Sequence, residues 1–478
     1  MIYVHWIGLV LYGLIIVITM VTVLLDNRQP SKTIAWILVL MFLPILGIIL
    51  YFFFGQNTRK ERIISEQSMD QLTKRSMLEF AEQRNLQLPE SNRSLINLFA
   101  NQSLALPFKD NEVDIYVNGY EFFPAFLKAI KQAKSHIHIV IYIMDDDPVG
   151  NLIADALIDK AREGVEVRLI YDDVGSWKTK SAFFERMRNE GIEIHPFLPV
   201  RFPSFTSKVN YRNHRKIIVI DGKIGFIGGM NFALRYVKGT GKQPWRDTHL
   251  RIRGGAVYGL QRAFLIDWYF VDRTLITSHH YYPSLPTHQS TVKTNNCLAQ
   301  VVTSNPTSQW PDIMQGYVRI LMEAKTYVYM ESPYFLPTEP IVFAMRTAAI
   351  TGVDVRLMIP LHSDAKLVQW STYSYLKEIL EAGVKVFFYK AGFNHSKLLV
   401  SDDFVSTCGS TNIDFRSFDN NFEANVFFYD RDLALRIKEV YLNDEADCVT
   451  MDEVTNLRRV PFLYRLRDSI VRLLSPLL

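Results

Sequence analysis

Two uninterrupted apolar runs open the chain. Trp6–Leu25 is 20 residues long and Thr33–Phe54 is 22, and neither contains a charged residue. At 1.5 Å rise per residue each reaches about 30 Å, the thickness of a bilayer's hydrocarbon core. Between them lies the polar turn Asp26-Asn27-Arg28-Gln29-Pro30-Ser31-Lys32. The pattern predicts a two-helix transmembrane hairpin, about 6–25 and 33–54. A signal peptide would carry basic residues ahead of the first run, and none is present. A buried pair of core helices fits poorly, because both runs exceed about 18 residues. Pro44 is tolerated in a membrane helix and predicts a kink. Arg59, Lys60 and Arg62 follow the second run, against Arg28 and Lys32 in the turn. This bias puts the large remainder on the cytoplasmic side.

After the hairpin the periodicity changes. Residues 57–107 read as a linker with helical segments. From there to about residue 455, short β-branched strands alternate with helical stretches, the rhythm of an α/β sheet. The rhythm occurs twice. Gly164-Val-Glu-Val-Arg-Leu-Ile170 is echoed by Gly352-Val-Asp-Val-Arg-Leu-Met358, and Gly191-Ile-Glu-Ile194 by Gly383-Val-Lys-Val386. Three echoes in one order indicate a duplicated domain, placed at 108–290 and 291–455. The tail 456–478 reads as a basic amphipathic helix. Leu463, Leu466, Ile470, Leu473, Leu474 and Leu477 recur at helical spacing, with arginines between them. Such a helix suits an anionic membrane surface, or its apolar stripe covers the second domain.

Composition narrows the classes. The hydrophobic fraction is 48% and the charged fraction 21%, which excludes global disorder. Net charge is only +4, too balanced for a dedicated nucleic-acid binder. The three cysteines, Cys297, Cys408 and Cys448, are too far apart for a Cys-rich zinc site. No Gly-rich phosphate loop with a following Lys-Ser/Thr occurs.

The third echo carries candidate chemistry. The first copy reads His214-Arg-Lys216-Ile-Ile-Val-Ile-Asp221, then Gly228-Gly229-Met230-Asn231. The second reads His395-Ser-Lys397-Leu-Leu-Val-Ser-Asp402, then Gly409-Ser410-Thr411-Asn412. Both copies keep the same spacings, at an offset of 395 − 214 = 412 − 231 = 181 residues. On a strand, residues two apart share a face, so each His is expected to project with its Lys. Asp221-Gly222 is a hairpin-turn signal. The Gly positions let backbone approach a ligand, and the Asn amides add donors. Two ammoniums, two amides and backbone N–H groups make an anion cradle, and two imidazoles can divide nucleophilic and proton-transfer work.

With its duplicated His-x-Lys-(x)4-Asp-(x)6-Gly-Gly/Ser-x-Asn motif, the sequence resembles the phospholipase D superfamily. With the two apolar runs, Tyr171-Asp172-Asp173-Val174-Gly175, Pro244-Trp245-Arg246-Asp247-Thr248-His249 and Glu331-Ser332-Pro333-Tyr334-Phe335, it looks like that superfamily's bacterial cardiolipin synthases over essentially its whole length. The resemblance implies two tandem α/β domains forming a pseudo-symmetric pair at the bacterial plasma membrane. It implies transfer of a phosphatidyl group from one phosphatidylglycerol to another through a phosphohistidine, with His214 as nucleophile and His395 as acid/base. The symmetry of the copies leaves that order open. Lys216, Lys397, Asn231 and Asn412 would hold phosphate oxygens beside Gly229 and Ser410, and Asp247 and Glu423 would orient the histidines. Asp221 and Asp402 complete the motif, more in keeping with a supporting place than with proton transfer. No cofactor or metal is implied, since lysines supply the positive charge. Anionic lipid is the expected partner, and the stretch Val200–Asn213, rich in basic and aromatic residues, suits a headgroup. A membrane hydrolase is the alternative. A nuclease, or a silent scaffold of the same fold, fits less well, because both copies of the motif are complete.

Overall fold

The computed structural model describes residues 2–25, 30–51, 55, 88–200, 210–241, 243–283, 297–450, 462–472 and 475. Two compact units divide the chain: 1–62 with 200–211, and 63–199 with 212–478.

In the first unit, α1 (Ile2–Leu25), α2 (Pro30–Phe42) and α3 (Pro44–Leu50) pack around Val23, Leu40 and Tyr51. The break between α2 and α3 falls at Leu43, because Pro44 has no N–H to continue the ladder. The outer faces leave Leu14, Val17, Ile18, Val21, Leu38 and Met41 exposed. Among the described residues no helix is long and apolar enough to cross a membrane. The side chains described without interruption in α1 begin only at Val10.

The second unit holds the duplicated α/β part. The first half runs β1 (Pro107–Tyr116), β2 (His136–Ile141), β3 (Glu166–Asp172), β4 (Glu193–Phe197), β5 (Arg212–Asn213), β6 (Ile217–Ile220), β7 (Ile224–Gly228), β8 (Trp245–Arg246) and β9 (His249–Arg253). The second runs β10 (Cys297–Ser304), β11 (Tyr327–Glu331), β12 (Phe335–Leu336), β13 (Asp354–Pro360), β14 (Lys385–Tyr389), β15 (Phe393–Asn394), β16 (Leu398–Ser401), β17 (Val405–Gly409), β18 (Ile413–Asp414), β19 (Asn421–Tyr429) and β20 (Cys448–Thr450).

The halves have one topology. Strand order β4-β3-β2-β6-β7-β9-β1 in the first is matched by β14-β13-β11-β16-β17-β19-β10 in the second, with β20 added at the outer edge. The outer strands β2, β3 and β4 pair parallel, as βαβ crossovers require, and the inner ones pair antiparallel. β1 and β10 join antiparallel at the seam, with Phe108 opposite Ala299 and a bulge before Asn111. The result is one continuous sheet. Each half buries its own apolar core, one around Phe122, Phe126, Ile139 and Phe226, the other around Val328, Met345, Leu357 and Leu399.

The Asp-Gly signal forms the β6–β7 turn, with Asp221 at φ 54° and Gly222 at φ 63°. The Asp221 carboxylate accepts N–H bonds from Lys134, Ser135 and His136 at 2.7–3.1 Å, tying the turn to the start of β2. Asp402 does the same for Lys325, Thr326 and Tyr327 at the start of β11. Both aspartates serve these turns and stand away from the cleft described below.

The run Asp145-Asp146-Asp147 ends in a helix cap, the Asp147 carboxylate accepting from the Val149 and Gly150 N–H groups at the start of the helix Pro148–Arg162. The tail helix Phe462–Arg472 lies on the helix Lys366–Glu381. Arg467 stacks over Trp370 at 4.4 Å and Arg472 over Tyr375 at 4.3 Å. Val471 is buried and the Ser475 and Ser371 hydroxyls lie 2.6 Å apart, while Leu463, Leu466 and Ile470 are exposed. Leu473, Leu474 and Leu477 of the apolar stripe lie outside the described residues.

Removing the Asp221 carboxylate leaves three backbone donors unpaired, each of which belongs to the entry of a central strand. Asp221→Ala is expected to lower stability by about 1–3 kcal/mol, read as a drop in melting temperature in detergent, while kcat per folded molecule is retained. Loss of turnover with an unchanged melt would return Asp221 to the chemistry.

Candidate active site

The histidines lie where the chain changes partners. Each His-x-Lys segment is extended backbone between two strands rather than part of one, which corrects the strand placement expected from the alternation. The reason is an exchange between halves. β5 leaves its own half to pair parallel with β19, Phe422 opposite Asn213. β15 pairs likewise with β8, Arg246 opposite Asn394. One step on, the His214 N–H donates to the Phe422 carbonyl at 2.9 Å and the His395 N–H to the Arg246 carbonyl at 2.7 Å. The chain then turns home to begin β6 or β16.

This register sets each imidazole against a carboxylate of the other half. His214 Nδ1 lies 3.0 Å from Glu423 Oε1, and His395 Nδ1 lies 2.8 Å from Asp247 Oδ2. A carboxylate accepting from Nδ1–H fixes the tautomer with a bare Nε2. Asn213 and Asn394 brace the two turns. Their side-chain carbonyls accept from the Arg215 and Ser396 N–H, and their amides donate to Asp267 and Glu331. Arg215 adds a buried clamp, paired with Asp267 and donating to the Glu423 carbonyl at 3.0 Å.

The carboxylates sit against the residues that differ between the motifs. A Cβ at Gly229 would lie 2.0 Å from Asp247 Oδ1, so only glycine admits that side chain. Ser410, at the matching place, donates its hydroxyl to Glu423, which also accepts from the Asn421 amide at 3.1 Å. Their charge states differ accordingly. Burial pushes both carboxyls up and carries Asp247 to about 6 despite Lys397. At Glu423 the His214 pair, Lys216 and the Ser410 hydroxyl outweigh burial and hold the group below the usual carboxylate range.

Lys216 and Lys397 lie beneath the imidazoles, fully buried. Lys216 Nζ donates to the His214 carbonyl at 2.6 Å, and Lys397 donates to that of His395. Lys397 Nζ also approaches His395 Nδ1 at 2.9 Å. An Nδ1 that donates to Asp247 cannot also accept from an ammonium, so that approach acts as a charge repulsion. Burial lowers Lys216 to about 7, Glu423 opposing and Lys397 adding to the shift. Burial likewise lowers Lys397 to about 8 against Asp247. Burial, opposed by Glu423 and helped by Lys216, takes His214 to about 4. Burial, the two lysines and His214 hold His395 well below the usual imidazole range. Burial thus lowers both imidazoles and both lysines, and a phosphate anion in the cleft would raise them again.

The cleft has a volume of about 350 Å³ and is lined by both histidines and both motif asparagines. Asn231 donates to the Tyr236 hydroxyl at 2.6 Å and accepts from the Ile143 N–H. Asn412 Oδ1 finds no partner among the described residues. Aromatic walls surround His395, with Trp245 at 5.4 Å and Tyr334 at 6.2 Å between ring centroids, and Tyr142 stands 4.9 Å from His214. In the stretch Val200–Asn213, Arg201, Phe202, Phe205 and Lys208 lie outside the described residues, while Arg212 lines the cleft.

Several lining residues escape the motif reading: Tyr142, Arg235, Tyr236, Asp364, Asp414 and Arg416. Two of them carried a signal. Arg235 follows Asn231 by four residues, Arg416 follows Asn412 by four, and they keep the 181-residue offset. So do Asn213 and Asn394.

Two half-sites built this way, each completed by the other half, define a phospholipase D-like phosphotransferase. The family description "Cardiolipin synthase, PLD-like domain" matches residues 126–241 and 317–444, and "Phospholipase_D-nuclease N-terminal" matches residues 8–56. A cardiolipin synthase of Geobacillus sp. (strain WCH70) is 38% identical, covering 99% of this chain and 95% of that one. Cardiolipin synthases of Listeria monocytogenes serotype 4b (strain CLIP80459), 36% identical over 98% of this chain, and of Oceanobacillus iheyensis, 38% identical over 95%, are similar at full length. The chain belongs to the cardiolipin synthase family. Phosphatidylserine synthase of Haemophilus influenzae Rd KW20 shares the fold, with a TM-score of 0.62 at 14% identity over 81% of this chain and 100% of that one.

Replacing either carboxylate with its amide leaves the shape but frees the tautomer. Glu423→Gln and Asp247→Asn are each expected to lower kcat by about a hundredfold or more, with circular dichroism unchanged. A rate within twofold of the parent would remove the orienting role.

The lysines give a pH dependence. An ammonium is charged below its pKa, so the empty cleft loses positive charge as pH rises through about 7 and 8. The phosphodiester of a glycerophospholipid keeps its charge over this range. KM for short-chain phosphatidylglycerol at fixed micelle composition is therefore expected to rise from pH 7 to 9, and a flat profile would contradict the assignment.

Proposed function

We propose that this chain acts as a cardiolipin synthase, transferring a phosphatidyl group from one phosphatidylglycerol to a second and releasing glycerol. The observation that carries the reading is the pair of imidazoles, each oriented by the other half's carboxylate, facing one cleft over two buried lysines.

In the first step the bare Nε2 of His214 attacks phosphorus and the bond to the leaving glycerol oxygen breaks, while His395 gives that oxygen a proton. In the second, the acceptor's hydroxyl gives its proton to His395 and attacks the phosphohistidine, and the P–N bond breaks. The arriving phosphodiester anion raises the pKa of His395, which burial lowers, so that the imidazole takes up the proton it then gives to the leaving oxygen. The lysines and asparagines stabilise charge on the phosphate oxygens. One phosphodiester replaces another, so no external energy source enters. Glu423 accepts from the Ser410 hydroxyl and the Asn421 amide as well as facing His214, and these added donors support His214 as nucleophile, because they stabilise the carboxylate that balances charge on the phosphorylated ring.

A cleft of about 350 Å³ suits headgroups and leaves acyl chains outside, so the site works at a lipid surface. The charge-free runs Trp6–Leu25 and Thr33–Phe54, and the exposed apolar faces of α1 and α2, support a transmembrane hairpin that keeps it there. The basic residues after the second run support a cytoplasmic catalytic part. The exposed Leu463, Leu466 and Ile470 of the tail helix suit interfacial contact with anionic lipid.

The purified enzyme given phosphatidylglycerol alone is expected to form cardiolipin and free glycerol in equal amounts. His214→Ala and His395→Ala are each expected to abolish cardiolipin formation without unfolding. Glycerol and phosphatidic acid without cardiolipin would make the enzyme a hydrolase, and near-parental turnover in either variant would end the two-histidine mechanism.

A further inference from the structure

The transferase reading brings a second lipid into the cleft, and that lipid carries a phosphodiester of its own. When the acceptor's free hydroxyl attacks the phosphorus on His214 it gives its proton to His395, so the acceptor enters past His395 with its own phosphate one glycerol unit away. That second anion needs a partner. Lys216 and Lys397 are poorly placed for it, being wholly buried beneath the imidazoles, where they serve the phosphate under attack.

Arg235 has the right place and chemistry. It lines the same cleft as His395, its side chain is 33% exposed, and it adjoins Tyr236, whose ring lies 6.4 Å from that of His395. One guanidinium nitrogen is anchored by Asp145 at 2.9 Å. The anchor fixes the plane of the fork and leaves N–H donors on its other atoms for a phosphate. The positive charge also reaches His395, adding to the influences that keep that imidazole neutral until an anion arrives. Arg416, at the same place in the second half, lines the same cleft. Its charge is felt at Tyr142, the ring beside His214, where the donor phosphate reacts.

We propose that Arg235 binds the phosphodiester of the acceptor lipid, the phosphate that is not attacked, and so selects phosphatidylglycerol over water or a small alcohol as acceptor. The proposal rests on the transferase reading. It uses the repeat asymmetrically: two equivalent arginines, one serving the acceptor side and one the donor side.

The test is a competition. Full-length enzyme in mixed micelles is given phosphatidylglycerol as donor, with phosphatidylglycerol and 1-propanol as competing acceptors, and the ratio of cardiolipin to phosphatidylpropanol is measured. Arg235→Gln is expected to lower this ratio by about ten- to hundredfold, the factor for one charged hydrogen bond. Arg235→Lys, which keeps the charge and loses the fork, is expected to fall between. A merely structural role would depress both products together. An unchanged ratio in Arg235→Gln, whether total turnover falls or not, overturns the proposal. Parental enzyme that releases glycerol and makes no cardiolipin overturns the transferase reading and this proposal with it.

Discussion

The structure depends on a reciprocal exchange at the seam. Each half sends a two-residue strand across to pair with the other, and the same pairing that continues the backbone hydrogen bonds sets each His against its carboxylate. Neither half can build a working imidazole alone, because the group that fixes its tautomer belongs to the other half. Register is the controlling quantity. A slip of one residue in β5 against β19 would turn His214 away from Glu423 and place Arg215 there instead. The buried Arg215–Asp267 pair and the Asn213 and Asn394 braces hold the register where it is.

Burial does the electrostatic work that follows from this arrangement. Six ionisable side chains meet at the seam with little water, and each would be costly unpaired. Their mutual placement turns that cost into responsiveness. Burial lowers both imidazoles and both lysines. In the proposed mechanism a bound phosphodiester raises them again, which suits a site that would first donate a proton and then accept one from a different alcohol. The inequality of Gly229 and Ser410 breaks the pseudo-symmetry where it matters, giving one carboxylate an extra donor and the other only room.

In the proposed reading the cleft of about 350 Å³ takes a lipid headgroup. The exposed apolar side chains of α1, α2 and the tail helix support the same reading. The tail helix reaches the cleft wall through the helix Lys366–Glu381, whose Val368 is part of the lining.

Much of this was legible in the residues. Local patterns carry their own geometry, so the Asp-Gly turn and the Pro44 break could each be read where they stand. The 181-residue offset exposed the duplicated fold and the paired His, Lys and Asn. It also held the arginine pair and the Asn-His pairs, which a motif of fixed length passed over. The resemblance pointed to Asp247 and Glu423 as orienting groups, but not to which histidine each one meets. Glu423 lies 209 residues from His214 and Asp247 148 residues from His395, and each crosses to the opposite half. No spacing rule orders such contacts, because they follow from strand pairing between halves. The same exchange moved His214 and His395 off their strands. Residue identities supplied the chemistry, and the exchange at the seam decided which residues perform it together.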